Sequence, residues 1–480
     1  MLGKSPPLYR QEYDSMGTED VPTTAYWGAS TQRAKRLFSI GTLFMPMEVI
    51  HHFGLQKRIA ALANKELGVL DARLADKVIQ AAQEVEKGQL DAHFPLSVWQ
   101  TGSGTATHMN VNEVIANRAN ELLGYPLGTK SPVHPNDHVN KGQSSNDTFP
   151  TVMHLVTLFM LQNKLFPQLN TFIQGLDGKA KAFQGMVKVG RTHLQDAAPL
   201  YVSDEFHTFS LQLKGAKERL EGAMTRLFKL AQGGTAVGTG LNAHPQFAAT
   251  FAKLLSQERQ LPFEPHPHPF VLFASHDDLA AVMSELTLLA AALFKMATDV
   301  RFLASGPLCG VGEWVLPANE PGSSIMPGKV NPTQVEALQM ICLQVKGLGS
   351  AVVAASFEGQ CQLNVMKPLM ISNLVTSIVL LADAMRCFRE HALEGLQVDL
   401  EVTRSYIERS LMLATALVPL IGYDRASEVS LYAREKKCTL RQAVLALGVL
   451  DEKTFDEKVK PDTLAQGARK AAHSKDEGIS

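Results

Sequence analysis

Pro321-Gly322-Ser323-Ser324-Ile325-Met326-Pro327-Gly328-Lys329-Val330-Asn331-Pro332 is the stretch on which the reading of this chain turns. Its three prolines and two glycines exclude regular structure, so the segment is a shaped loop. Pro332 opens PTQVEALQMICLQV, where proline suits the first turn of a helix and Glu336 falls about one turn in. Lys329 and Asn331 therefore stand where a loop meets a helix N-terminus. Backbone N–H groups, a positive dipole end and an ammonium converge there, a combination that suits a carboxylate or phosphate. A plain Gly/Ser/Pro linker would share this composition, so the rest of the chain must decide.

Three other stretches combine loop chemistry with reactive residue types. Thr101-Gly102-Ser103-Gly104-Thr105 places hydroxyls and glycines before a helix that ends at Gly124. Lys141-Gly142-Gln143-Ser144-Ser145-Asn146-Asp147 offers donors before a helix beginning near Thr148-Phe149-Pro150. Each of these, taken alone, is equally a helix cap. Gly190-Arg191-Thr192-His193-Leu194-Gln195-Asp196 sets His193 in a tight polar turn, and histidine is the side chain that titrates near neutral pH. A single histidine is more often structural than catalytic.

The order of these four stretches resembles the fumarase/aspartase superfamily of lyases, from Met16-Gly17 and Trp27-Gly28 to Ile421-Gly422-Tyr423-Asp424. The class II fumarase branch is the nearer, because aspartases typically carry Gln where His193 stands, and Thr and Ala at Ser145 and Gly328. The resemblance implies an all-α fold of three domains whose central bundle of five long helices assembles into a twenty-helix tetramer core. Three subunits would share each active site. It implies reversible anti addition of water to fumarate, giving L-malate, with no metal and no cofactor. Catalytic roles would fall on Ser323 as carbon base, His193 for the water or hydroxyl proton, and Glu336 orienting His193. Binding would fall on Ser103, Gly104, Thr105, Ser144, Ser145, Asn146, Thr192, Ser324, Lys329, Val330 and Asn331. His134, Pro135, Asn136 and Asp137 resemble a second, peripheral dicarboxylate site, although Ser131 stands where an arginine is common, and the motif is equally a structural turn. An aspartase-like ammonia-lyase, or a non-catalytic structural member of the superfamily, are the alternatives.

The remainder of the sequence agrees with a large helical protein. Leu55 to Asn64 and Leu70 to Glu86 carry apolar residues at helical spacing, the second closed by Lys87-Gly88. Five longer segments follow: 149–183, 203–232, 277–304, 332–355 and 363–391. Several are apolar around most of their circumference, so a single layer of helices leaves faces uncovered and self-association is expected. Domain boundaries are placed at 1–142, 143–400 and 401–480, the last including a charged tail from Lys470. Glu264-Pro265-His266-Pro267-His268-Pro269 reads as an extended linker.

Composition excludes other classes. Across 480 residues, 45% are apolar and 19% charged, an ordinary globular balance. A formal charge of −1 without basic runs gives no support to nucleic-acid binding. Five scattered cysteines without a CxxC pair argue against disulfides or a thiolate metal site. The N-terminal stretch lacks a signal or transit pattern, and the longest weakly polar run, Pro368 to Ala382, is short for a membrane span. A cytoplasmic protein acting on a small dicarboxylate is expected, as a homotetramer with no nucleic-acid or membrane partner.

Overall fold

The computed structural model describes residues 8–467; the tail from Lys470 to Ser480 lies outside them. The fold is all-α, with strands among the described residues confined to four two-stranded sheets. All five long segments are helical. Ser145–Met160 continues through a widened π turn, Leu161–Leu165, into Phe166–Ala182; Val202–Met224, Asp277–Leu303, Thr333–Ser356 and Lys367–Phe388 follow. By internal packing the chain divides into two compact units. One comprises Met1–Pro167, Ala216–Ala290 and Leu343–Ala382; the other comprises Gln168–Gly215, Ala291–Cys342 and Asp383–Ser480.

In the first unit, Asp71 caps Ala72–Glu86 by accepting from the N–H groups of Arg73 and Leu74. Ala75, Val78, Ala81, Ala82 and Val85 then form one buried stripe, at about 1.5–3 kcal/mol for a fully buried valine. Met47–Glu66, which packs against it, is buried on several sides, down to Gln56 and Lys57. Glu113, on the helix Thr105–Leu122, is likewise dry; it accepts from the N–H groups of Gly28, Ser30 and Thr31 and from the Thr31 hydroxyl. The helix Ala29–Leu37, which has no side-chain cap of its own, is thus capped from a distance. A hairpin of Tyr9–Asp14 with Gly17–Pro22 was not expected from the sequence. Its strands bury only Glu12 and Val21, so they show no period-2 apolar pattern to recognise.

In the second unit, Val187–Thr192 and Gln195–Tyr201 form an antiparallel hairpin whose register shifts between Val189 and Arg191. Trp314 is buried against Phe206, the rings stacked at 4.9 Å. Residues beyond 400 gather their own apolar cluster, including Leu413, Leu417, Val429, Leu440, Val444 and Phe455.

The run-length argument against a membrane span does not survive the structure. By length and composition Asp277–Leu303, Thr333–Ser356 and Lys367–Leu393 all reach spanning values. The most apolar 18-residue stretch of Thr333–Ser356 is only 28% buried within the chain, and Met340 and Leu343 lie in the open. An uninterrupted run is too strict a measure, because single polar residues such as Asn373 and Ser377 sit within a long helix without ending its apolar character.

The first unit buries three histidines, His108, His154 and His276, and half-buries His52. Burial lowers each below its ordinary value, His52 to about 4. At His52 the unfolded chain takes up a proton near pH 6.5 that the folded chain refuses until about 4, so this contribution to stability is present above 6.5 and lost as pH falls through that window. The other three, with His93 and His138, act in the same sense. Asp147, raised by burial to about 6, and Glu113 and Glu205, also raised by burial, act in the opposite sense, three groups against six. The urea midpoint is therefore expected to fall between pH 7 and pH 5, and His52→Gln to lessen the fall. A midpoint that rises on acidification would contradict this balance.

Candidate active site

Two of the four polar stretches lie in the first unit and meet there. The Ser103 hydroxyl is 2.7 Å from that of Thr105, which is 2.6 Å from that of Ser145. Gly104, at φ +76°, is the turn that allows it; a Cβ there would lie 2.2 Å from the Phe149 ring. The second helix begins at Ser145, earlier than Thr148-Phe149-Pro150 suggested, because Ser144 and Asp147 form a reciprocal capping box. The Asp147 carboxylate also accepts from the N–H groups of Gly233 (2.9 Å) and Thr235 (3.0 Å) and from the Gln232 amide (3.2 Å). Asn146 donates to the carbonyl of Ala236 at 2.9 Å. The buried carboxylate thus ties a glycine-rich loop to the helix N-terminus that carries Ser144, Ser145 and Asn146.

The other two stretches lie in the second unit. The signature loop is closed by its own backbone. The Gly322 N–H donates to the Lys329 carbonyl at 3.0 Å, and the Asn331 amide donates to the Gly322 carbonyl at 2.5 Å. A Cβ on Gly322 would sit 2.3 Å from that Lys329 oxygen. Inside the ring the Ser323 hydroxyl accepts from the N–H groups of Ile325 (3.2 Å) and Met326 (3.0 Å). Two donors on one hydroxyl oxygen favour its negative form. Ser324, Lys329 and Val330 are exposed around the rim, and Lys329 makes no ion pair among the described residues.

His193 occupies the tip of the hairpin, in a two-residue turn where both His193 (φ +55°) and Leu194 (φ +59°) are left-handed. Such a turn prefers Asn-Gly, and each non-glycine residue there costs roughly 1–2 kcal/mol. Thr192 and His193 are exposed, and the His193 ring makes no hydrogen bond among the described residues. Within one chain Glu336 turns instead to Arg301, at 3.4 Å. Behind the tip, Arg191 grips Glu313 with two hydrogen bonds (3.0 and 2.9 Å), and Lys188 bridges Glu313 (2.9 Å) and Glu205 (3.0 Å). The Arg191 guanidinium also faces the rings of Phe302 and Tyr406. Sequence reasoning missed this clamp; its one signal was Glu313, a lone carboxylate in the apolar segment Gly310-Val311-Gly312-Glu313-Trp314.

The peripheral motif folds as a capped turn in the first unit. His134 Nδ1 accepts from the N–H groups of Asn136 and Asp137, both at 3.2 Å, while Pro135 is buried. A nitrogen that accepts twice is unprotonated, so its 3.3 Å approach to the Asp137 carboxylate is proximity rather than an ion pair.

Long apolar helices carry these shaped, donor-rich turns. The family described as Lyase matches residues 17–347, and that described as Fumarase C C-terminus matches 413–466. The class II fumarate hydratase of Thermosynechococcus vestitus is 52% identical over 451 residues, covering 94% of this chain and 97% of that protein. The mitochondrial fumarate hydratase of Saccharomyces cerevisiae is 50% identical over 456 residues, covering 95% and 93%. The crystal structure of a class II fumarase from Schistosoma mansoni superimposes with a TM-score of 0.93 at 41% identity, covering 95% of this chain and 99% of that one. The chain belongs to the lyase family, and within it to the class II fumarases.

Glu313 is 1% exposed and is the shared counter-ion of Lys188 and Arg191. Glu313→Ala leaves Arg191 without its counter-ion and Lys188 with Glu205 alone, and a loss of about 3–5 kcal/mol in unfolding free energy is expected by chemical denaturation. A loss below about 1 kcal/mol would mean that water relieves the site.

Proposed function

We propose that this chain is a fumarate hydratase that adds water reversibly and anti across fumarate to give L-malate, by way of an aci-carboxylate intermediate. The observation that carries the chemistry is the Ser323 oxygen held by two backbone N–H groups inside a self-closed loop. An unaided serine hydroxyl is far too weak a base to take a proton from carbon. Donors already aimed at that oxygen favour its alkoxide, and each such preorganised donor is worth about 3–4 kcal/mol in comparable sites. Proton removal beside a carboxylate spreads charge into a dianion, which Lys329, Asn331 and the N–H groups near Ser324 would hold. Asn146 and Thr192 would fix the carboxylates, with Ser103, Thr105 and Ser145 as further donors. His193, oriented by Glu336, would handle the water or hydroxyl proton.

The reading includes assembly. Met340 and Leu343, exposed on Thr333–Ser356, favour burial against other copies of the chain, in a homotetramer whose sites are shared between subunits. Sharing would also bring Glu336 of one copy to His193 of another. The division into three domains belongs to the same reading, supported at its C-terminal end by the separate cluster around Leu417 and Val444. So does a peripheral dicarboxylate site at His134–Asp137, where Asn136 and Asp137 are exposed. The cytoplasm is the compartment proposed; the yeast relative is named mitochondrial, so the family alone does not set it.

Absorbance of fumarate formed from malate, set against that formed from aspartate, tests the activity; formation from aspartate alone would overturn it. Ser323→Ala and His193→Asn are each expected to lower kcat by about 100-fold or more with the assembly intact. Near-normal turnover in Ser323→Ala removes that serine from the chemistry. Mixed oligomers of a Ser144→Ala/Ser145→Ala chain with a His193→Asn chain should regain activity that neither has alone. No recovery after verified mixing would argue that each site is built from one chain.

A further inference from the structure

Beneath the turns of the first unit runs a dry polar network that none of the proposed roles uses. Lys57 is 0% exposed, and three groups converge on its Nζ: His108 Nε2 at 2.7 Å, Asn140 Oδ1 at 3.1 Å and Gln143 Oε1 at 3.0 Å. The amides are oriented by their other bonds. Asn140 Nδ2 donates to the Gln143 carbonyl, and Gln143 Nε2 donates to the carbonyls of Val139 and Lys141, which turns both amide oxygens toward Lys57. Three acceptors around one nitrogen is the number an ammonium satisfies, with His108 neutral. Burial disfavours the charged form of both Lys57 and His108.

The network continues. Gln56 Nε2 donates to both Gln143 Oε1 (3.0 Å) and Gln232 Oε1 (2.8 Å), and Gln232 Nε2 reaches the Asp147 carboxylate. Lys57 therefore grips Asn140 and Gln143, the residues that lead directly into Ser144, Ser145 and Asn146, while Asp147 grips the same helix start from within. The amides are thus oriented from both sides, by backbone carbonyls and Asp147 on one and by Lys57 on the other.

We propose that Lys57 is a positioning residue for the dicarboxylate-binding turn, acting through Asn140 and Gln143 to set where Ser145 and Asn146 present their donors. This rests on the functional reading above. A displacement of this turn of about 1 Å is enough to degrade substrate contacts by an order of magnitude or more. Because the turn binds carboxylate and does not move the proton, the effect belongs to KM more than to kcat.

The test uses the full-length assembly, with malate dehydration and calorimetric binding of succinate, a dicarboxylate that cannot react. Lys57→Met is expected to raise KM about tenfold and weaken succinate by a similar factor, with kcat within about threefold and the circular dichroism unchanged. A folded Lys57→Met with KM within about twofold, or with a loss in kcat alone, overturns the proposal. Should Lys57→Met fail to fold, His108 decides. His108→Gln, which returns an amide acceptor to the ammonium, should stay within about twofold of the parent, whereas His108→Leu should raise KM about fivefold. Equal KM values in the two variants overturn it as well. A parent chain that binds succinate but does not dehydrate malate ends the hydratase reading and leaves the succinate comparison to judge Lys57. A parent that does neither sinks both.

Discussion

A carboxylate taken out of water must be met by donors, and that constraint organises the polar parts of this protein. Three buried carboxylates each hold a loop whose position the fold would otherwise leave open. Glu113 collects the start of Ala29–Leu37, Asp147 collects the 232–235 loop, and Glu313 collects Lys188 and Arg191 behind the His193 tip. In each case the acid comes from one element and its donors from another far away in sequence. The donors are mostly backbone N–H groups or fixed cations, so the geometry they enforce is narrow. One of the three loops carries residues to which chemistry is assigned, and the helix that Asp147 itself starts carries others.

This arrangement explains which parts of the fold were legible beforehand. The long helices were, because a helix of more than twenty residues repeats its apolar pattern many times and Asp277–Leu303 tolerates a charge such as Glu285 without losing it. The hairpins were not. Arg191 to Asp196 is polar in sequence because it is an exposed tip, and polarity alone does not separate a two-residue hairpin turn from a loop. Ser323, Ser145 and His193 could be named because the order of their motifs resembles a known family; each motif alone is equally a cap or a turn. Lys57, Asp147 and Glu313 could not, because a lysine at helical spacing reads as a solvated face until its burial is known. Positioning groups hide inside regular patterns, whereas groups that touch a ligand interrupt them.

The same logic bears on charge. A chain with a formal charge of −1 must gather positive potential locally if it is to hold a dianion. In the second unit Lys329 stands on its loop without a counter-ion among the described residues; in the first, the helix start at Ser145 is a positive dipole end. Lys188 and Arg191 are committed to Glu313, and Lys57 to three neutral acceptors. Coulomb attraction at close range strengthens as water leaves, so an exposed ammonium such as Lys329 has most to gain from a site that dries on binding an anion.

The hairpin tip that carries His193 is strained. A left-handed histidine followed by a left-handed leucine, 69% exposed, stores energy that asparagine and glycine would release. Nothing in packing rewards Leu194 for being there, since it covers no core. What holds the tip is the clamp three residues back, where a bidentate Arg191–Glu313 pair and Lys188 fix the strand so firmly that the turn has no cheaper route. Strain sustained by a buried ion network and spent on an exposed imidazole makes structural sense when the position of that ring matters more than the stability it costs.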